Sequence, residues 1–293
     1  MRRALAEELE SIASIDKSLV FITADLGFGV FDSFKQRFPD RYINVGIAEA
    51  GMVGLAAGLS KEGFTPVIYS IASFMNSRAY EQIRVLAGYN ECKMIIVGAG
   101  GGLTYSKSGP THHALEDLGL ALLIPTLNVA APAGPDELKS VLRKAVASTQ
   151  STYIQIGKFG EKDVDTLESV GIASTRSENL VISTGGASQI VSEARRLETG
   201  LFDWHHLTYL RPLDTRVICD VIRGRKKILI VEESWENAGV YSELVLFLQR
   251  NEILIRVTRL GPPSRFIVEN LNLGIMQSEL GYSAEHLISN LKS

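Results

Sequence analysis

The chain has 293 residues, with 30 Lys and Arg against 33 Asp and Glu, a formal charge of −3 and 45% hydrophobic residues. That apolar content supplies a core, and domains of about 100–200 residues predict two of them. The balanced charge excludes nucleic acid as the main partner. The longest apolar stretch, residues 118–133, is broken by Pro125, Asn128 and Pro132, short of the roughly 18–20 residues that span a bilayer. The opening MRRALAEELE is too acidic for a signal peptide. Cys92 and Cys219 form no CxxC pair. A cytoplasmic protein is expected.

In chain order, helical periodicity is read at 1–15, 47–61, 77–88 and 135–148. Apolar β-branched runs mark strands at 19–23, 65–69, 93–97, 128–131 and 152–156, then at 180–183, 227–231 and 254–257. Strands apolar on both faces and alternating with helices predict parallel sheets covered by helices. The fold class expected is α/β in two domains, 1–160 and 179–293, each a mostly parallel sheet, with a linker over 161–178.

Four features carry chemistry. Gly98, Gly100, Gly101 and Gly102 follow a strand, but Leu103 breaks the dinucleotide fingerprint and no GK[ST] follows, so neither a nicotinamide nor a P-loop site is indicated. The helix 47–61 contains Gly51, Gly54, Ala56, Ala57 and Gly58. Interior glycines cost roughly 0.5–1 kcal/mol each, and close packing against a neighbour is the usual compensation. Glu49 opens that helix, with no Lys or Arg between Tyr42 and Ser60. It either complements the helix dipole or, poorly solvated, stays neutral and exchanges a proton with a bound base. In Gly109-Pro110-Thr111-His112-His113, Thr111 is read as capping a helix over 114–123. The adjacent histidines suit hydrogen bonding to a hydroxyl better than zinc, or are simply solvated. For His205-His206, solvation is the preferred reading.

These pieces together resemble one family. YINVGIAE (42–49), SFMNSRAYEQIR (73–84) and GPTHH (109–113) resemble the pyrimidine-binding domain of transketolases and of 1-deoxy-D-xylulose-5-phosphate synthase. LTYLRPLD (207–214) and ILIVEESWENAG (228–239) look like the C-terminal domain of the same proteins. The GDG…N segment that holds diphosphate through Mg²⁺ is absent from the chain. The resemblance therefore implies the C-terminal subunit of a split, thiamine diphosphate-dependent transketolase that transfers a two-carbon ketol unit between sugars. The Mg²⁺ ligands would lie on an N-terminal partner subunit, in an α2β2 assembly, with no metal ligands on this chain.

Carried over position by position, the resemblance implies that Glu49 hydrogen-bonds N1′ of the aminopyrimidine and shares its proton. Phe74 would stack on that ring, with Ile71 beside it, and Asp25 would lie near the thiazolium. His112 would contact the reacting hydroxyl of the donor, with His113 as its neighbour. Ser108 stands where the family usually has an acid, no histidine occurs within 98–102, Gly29 replaces a serine, and Ser234 replaces a histidine. Lys158 is left as a phosphate contact. These departures point to a specialised sugar. Two other readings stay open: the β-type subunit of a decarboxylating 2-oxo acid dehydrogenase component, and a non-catalytic regulatory subunit.

Overall fold

The structure, a computed structural model, describes residues 1–158, 160–164 and 177–293. The chain runs α1 (Arg2–Ile15), β1 (Leu19–Thr23), α2 (Asp32–Arg37), β2 (Tyr42–Asn44), α3 (Glu49–Lys61) and β3 (Thr65–Ile71). Two π-helical turns, Phe74–Arg78 and Ile83–Tyr89, flank a short α4 (Tyr80–Gln82). Next come β4 (Ile95–Ala99), α5 (Asp117–Leu122), β5 (Asn128–Ala130), α6 (Pro135–Ala147) and β6 (Thr152–Ile156). The second half contributes β7 (Asn179–Ser183), α7 (Ser188–Leu197), β8 (Asp203–His206), β9 (Tyr209–Arg211) and α8 (Thr215–Ile222). It ends with β10 (Lys227–Val231), α9 (Val240–Arg250), β11 (Arg256–Leu260), α10 (Leu273–Glu279) and α11 (Ala284–Lys292).

The first sheet has the order β2-β1-β3-β4-β6-β5-β9 and the second β11-β10-β7-β8. Every pairing is parallel except that of β5 with β9. Alternation along each strand builds the layers. Leu19, Phe21, Val67 and Ile95 face α1 and α6 in one apolar cluster. Val20, Ile22, Ile68 and Ile96 face α3 and α5 in a second cluster, which continues into Leu180, Ile182, Ile228 and Ile230 of the other sheet. The far side of the second sheet packs Val181, Leu229 and Trp204 under α7 and α11. The α/β class and the two parallel sheets are as expected.

Three strands escape prediction from the sequence. β2 (YIN), β8 (DWHH) and β9 (YLR) are three or four residues long and polar at their ends. The last strand lies two residues beyond its expected start, because Leu254 is fully exposed. Of the linker expected over 161–178, residues 165–176 lie outside the described residues.

The halves are joined by more than chain continuity. β9 extends the first sheet, and Arg211 Nη1 donates to the Ile124 carbonyl at 2.7 Å. The reading of His205 and His206 as solvated is overturned, since both are buried. A short polar strand looks like a surface loop in sequence, and here side chains from α6 and α7 meet His206. His206 Nδ1 meets Ser188 Oγ at 2.7 Å. Its Nε2 lies 3.2 Å from Glu137 Oε2 on α6, at ion-pair distance but off the line of a hydrogen bond.

Candidate active site

In a parallel sheet, ligands gather beyond the carboxyl ends of the strands, and the predicted residues collect at that edge. Asp25 follows β1, Asn44 ends β2, Glu49 opens α3 and Ile71 ends β3. Asp25 adopts φ +54°. Its N–H donates to Asn44 Oδ1 at 2.9 Å, and its Oδ1 accepts from Asn44 Nδ2 at 3.1 Å. The reciprocal pair fixes a left-handed turn that non-glycine residues rarely adopt. Ile71 is buried.

Glu49 is 1% exposed. Ser70 Oγ on β3 donates to its Oε1 at 3.1 Å, and Arg78 Nη1 donates to its Oε2 at 2.7 Å. The local sequence holds no cation near this acid; the structure supplies one. Arg78 arrives from 29 residues downstream, on the π-turn that follows β3. The same turn carries Phe74, and the guanidinium Cζ sits 4.5 Å from its ring centroid. Residues four apart on such a turn meet side by side.

The row of contacts continues. His112 meets Phe74 edge-on with centroids 5.1 Å apart, and Tyr105 lies 5.8 Å from His112. Lys158 Nζ is 3.8 Å from the Tyr105 ring centroid. Glu49, Phe74, His112 and Lys158 thus join in one line through Arg78 and Tyr105, two residues that sequence reasoning missed. The signal for Arg78 was its spacing from Phe74. None existed for Tyr105.

His112 N–H donates to the Gly109 carbonyl, and His112 Nδ1 meets Thr111 Oγ1 at 2.9 Å. Thr111 therefore caps no helix; α5 starts only at Asp117. Burial, with Lys158 beside it, lowers the pKa of His112 and favours the neutral ring. His113 is turned inward, its Nε2 3.4 Å from the Ser106 carbonyl, and burial lowers its pKa too. Ser108 is exposed at the end of the preceding 3-10 turn. Beneath the loop, Asp117 is buried and accepts from Tyr153 Oη at 2.6 Å and from Gln155 Nε2 at 2.9 Å.

Arg2 was also missed. Its Nε is buried with no hydrogen-bond partner among the described residues. Burial and then the charge of Arg2 depress the pKa of Lys158. Beside the acid, the outer face of α3 is open: Gly54 and Gly58 have nothing within 4 Å of an added Cβ, and Ile47 is 76% exposed. A separate cavity of about 600 Å³, between α6 and the His205–Tyr209 stretch, holds none of the predicted residues.

Residues 1–158 match the family described as transketolase, pyrimidine binding domain. The chain belongs to that family. It is 26% identical over 281 residues to a subunit of the apulose-4-phosphate transketolase of Phocaeicola vulgatus, covering 91% of this chain and 88% of that one. The corresponding apulose-4-phosphate transketolase chain from Actinobacillus succinogenes is 31% identical, over 78% of this chain and 76% of that one. The 1-deoxy-D-xylulose-5-phosphate synthase of Azoarcus sp. is 31% identical over 90% of this chain, which spans only 44% of that longer protein. A solved structure described as "Split gene transketolase, inactive beta4 tetramer" shares the fold, with TM-score 0.85, 24% identity and coverage of 99% and 96%.

For a transketolase-family chain, the test of cofactor fit is whether a flat, hydrogen-bonding ring can sit between Glu49 and Phe74. The Arg78 guanidinium, also flat and bearing edge donors, already occupies that place. A buried carboxyl and an aromatic face on either side of a flat, hydrogen-bonding group are of the kind an aminopyrimidine needs. Among the described residues, no group of three or more His, Cys, Asp or Glu could hold a metal ion.

Proposed function

We propose that this chain is the C-terminal subunit of a two-chain, thiamine diphosphate-dependent transketolase that moves a two-carbon ketol unit between sugar substrates. The observation that carries the reading is that the Arg78 guanidinium links a buried acid, Glu49, to the half-buried ring of Phe74 at the carboxyl edge of the sheet. The cofactor would supply the carbanion chemistry, and the protein its binding and orientation.

Each residue then has a task. Glu49 holds and exchanges a proton at N1′ of the aminopyrimidine, with Ser70 fixing its other oxygen. Phe74 carries the ring, Ile71 backs it, and Asp25, locked to Asn44, faces the thiazolium. His112, kept neutral by burial, bonds the donor hydroxyl, and His113 supports the loop that holds it. Lys158, set over the Tyr105 ring, and Arg2, with its unsatisfied Nε, suit an anionic group such as a sugar phosphate. Ser108 replaces the usual acid, which favours a donor other than the common pentose phosphates.

The diphosphate and its Mg²⁺ would be held by an N-terminal partner subunit in an α2β2 complex. Two features support this: the open glycine face of α3 beside Glu49, and relatives of similar length that are themselves named as transketolase subunits. The division into domains 1–160 and 179–293 and a cytoplasmic setting belong to the same reading. Among the described residues no helix is long and apolar enough to cross a membrane.

The test is reconstitution. The chain alone should be inactive, and adding the diphosphate-binding partner should give ketol transfer without CO₂ release. Glu49→Gln should lower turnover at least about 100-fold with the complex intact by sedimentation. CO₂ release from a 2-oxo acid, or near-normal turnover in Glu49→Gln, would overturn the proposal.

A further inference from the structure

Both contacts that the reading above assigns to the aminopyrimidine are made here by a single side chain. The Arg78 guanidinium lies against Phe74 and donates to Glu49 Oε2. Guanidinium and aminopyrimidine share a flat face for an aromatic ring and an edge that hydrogen-bonds a carboxyl group, the first by donating N–H and the second through N1′, which shares the acid's proton. A ring stacked on the face of Phe74 that the guanidinium covers, with its edge at Oε2, would need the guanidinium's place. The exposures of the two partners differ. Glu49 is 1% exposed and fixed at the start of α3, whereas the Arg78 side chain is 47% exposed and leads into solvent.

We infer that Arg78 is a placeholder: it occupies the pyrimidine's place in the chain without cofactor and is displaced when the ring enters. The inference rests on the cofactor reading of Glu49 and Phe74. Its physical cause is the buried carboxylate. With Arg78 absent, Glu49 would keep the Ser70 hydroxyl as a donor but lose its cation, and an acid left so poorly paired is costly to bury. Arg78 keeps the acid satisfied until the ring arrives, and the ring binds more weakly by the cost of displacing it. Arg78 is thus a positioning residue: it presets the Glu49 carboxyl without touching the substrate. A residue that simply braced Glu49 would instead strengthen pyrimidine binding.

The two roles are separated by titrating thiamine, which lacks the diphosphate, into the full-length chain, followed by ligand-observed NMR and by the Nε–H resonance of Arg78. Arg78→Gln should bind about three- to fivefold more tightly than the parent, the scale set by one partly exposed ion pair. Arg78→Lys, which pairs but stacks poorly, should fall between them, and Glu49→Gln should lose binding. In the parent, the Arg78 resonance should move to its solvent position as thiamine saturates. Circular dichroism melts identify any variant that fails to fold. Equal or weaker binding by Arg78→Gln and Arg78→Lys, with Glu49→Gln still defective, would overturn the placeholder and leave the cofactor reading standing. No thiamine binding by any variant, together with no thiamine diphosphate binding when the partner subunit is added, would remove both.

Discussion

Asp117 shows how burial converts an ordinary residue into a sensor. Burial raises its pKa to about 6 from 3.8, against the opposing hydrogen bonds of Tyr153 and Gln155. Between those two values the unfolded carboxyl has lost its proton while the folded one retains it. Stability from this group is therefore present below about pH 4 and lost as pH rises towards 6, amounting to about 3 kcal/mol. Asp117→Asn should remove that slope. Urea unfolding across this interval should show the parent losing stability relative to the variant; a difference independent of pH would refute the assignment. At the carboxyl edge of the first sheet, single residues also show what sequence conceals. Glu49 is legible as an acid in an apolar setting, but its cation is not, because Arg78 reaches it from 29 residues away and through a π-turn that no propensity specifies.

Among the elements, α3 is the informative case. Its glycines predict close packing, and inside this chain that expectation fails for the outer face: Gly51, Gly54 and Gly58 are exposed, and Gly54 and Gly58 meet open space. On the proposed reading, the neighbour they accommodate is the partner subunit. Gly54→Ala should therefore stabilise the isolated chain, by up to about 1 kcal/mol from helix propensity, as thermal unfolding would record. Gly54→Leu should leave the chain folded yet weaken association with the partner at least tenfold, measured by sedimentation. Unchanged association would place the partner elsewhere. The segment 77–88, a single helix by its periodicity, is instead occupied by parts of two π-turns around α4. Hydrophobic spacing cannot distinguish a widened turn from a regular one, and Phe74 and Arg78 lie side by side on the first of these turns.

Across the whole molecule, the two sheets share a middle layer, so the domains are not independent beads. Gly119 on α5 marks a tight approach between backbones: an added Cβ would stand 2.8 Å from Ala238 Cα, an atom that cannot swing aside. Gly119→Ala should destabilise the chain by about 1–3 kcal/mol through overpacking, the opposite sign to Gly54→Ala, as urea unfolding would show. Equal effects of the two substitutions would mean that the halves separate freely. The link through β9, and the burial of His206 against Ser188 and Glu137, make the same point with polar groups.

Residue order was enough for the α/β class, the parallel strands that carry the core, the family, and for singling out an acid, an aromatic and a histidine that lie in one row of contacts. Those rest on local information: residues apolar on both strand faces, and short motifs in order. Folding in three dimensions was needed to show which cation faces Glu49, that His113 turns inward, that His205 and His206 are buried, and that β9 crosses to the other sheet. Each of these depends on groups far apart in sequence coming within a few ångströms, and charge pairing and burial are properties of that distance rather than of the order of residues.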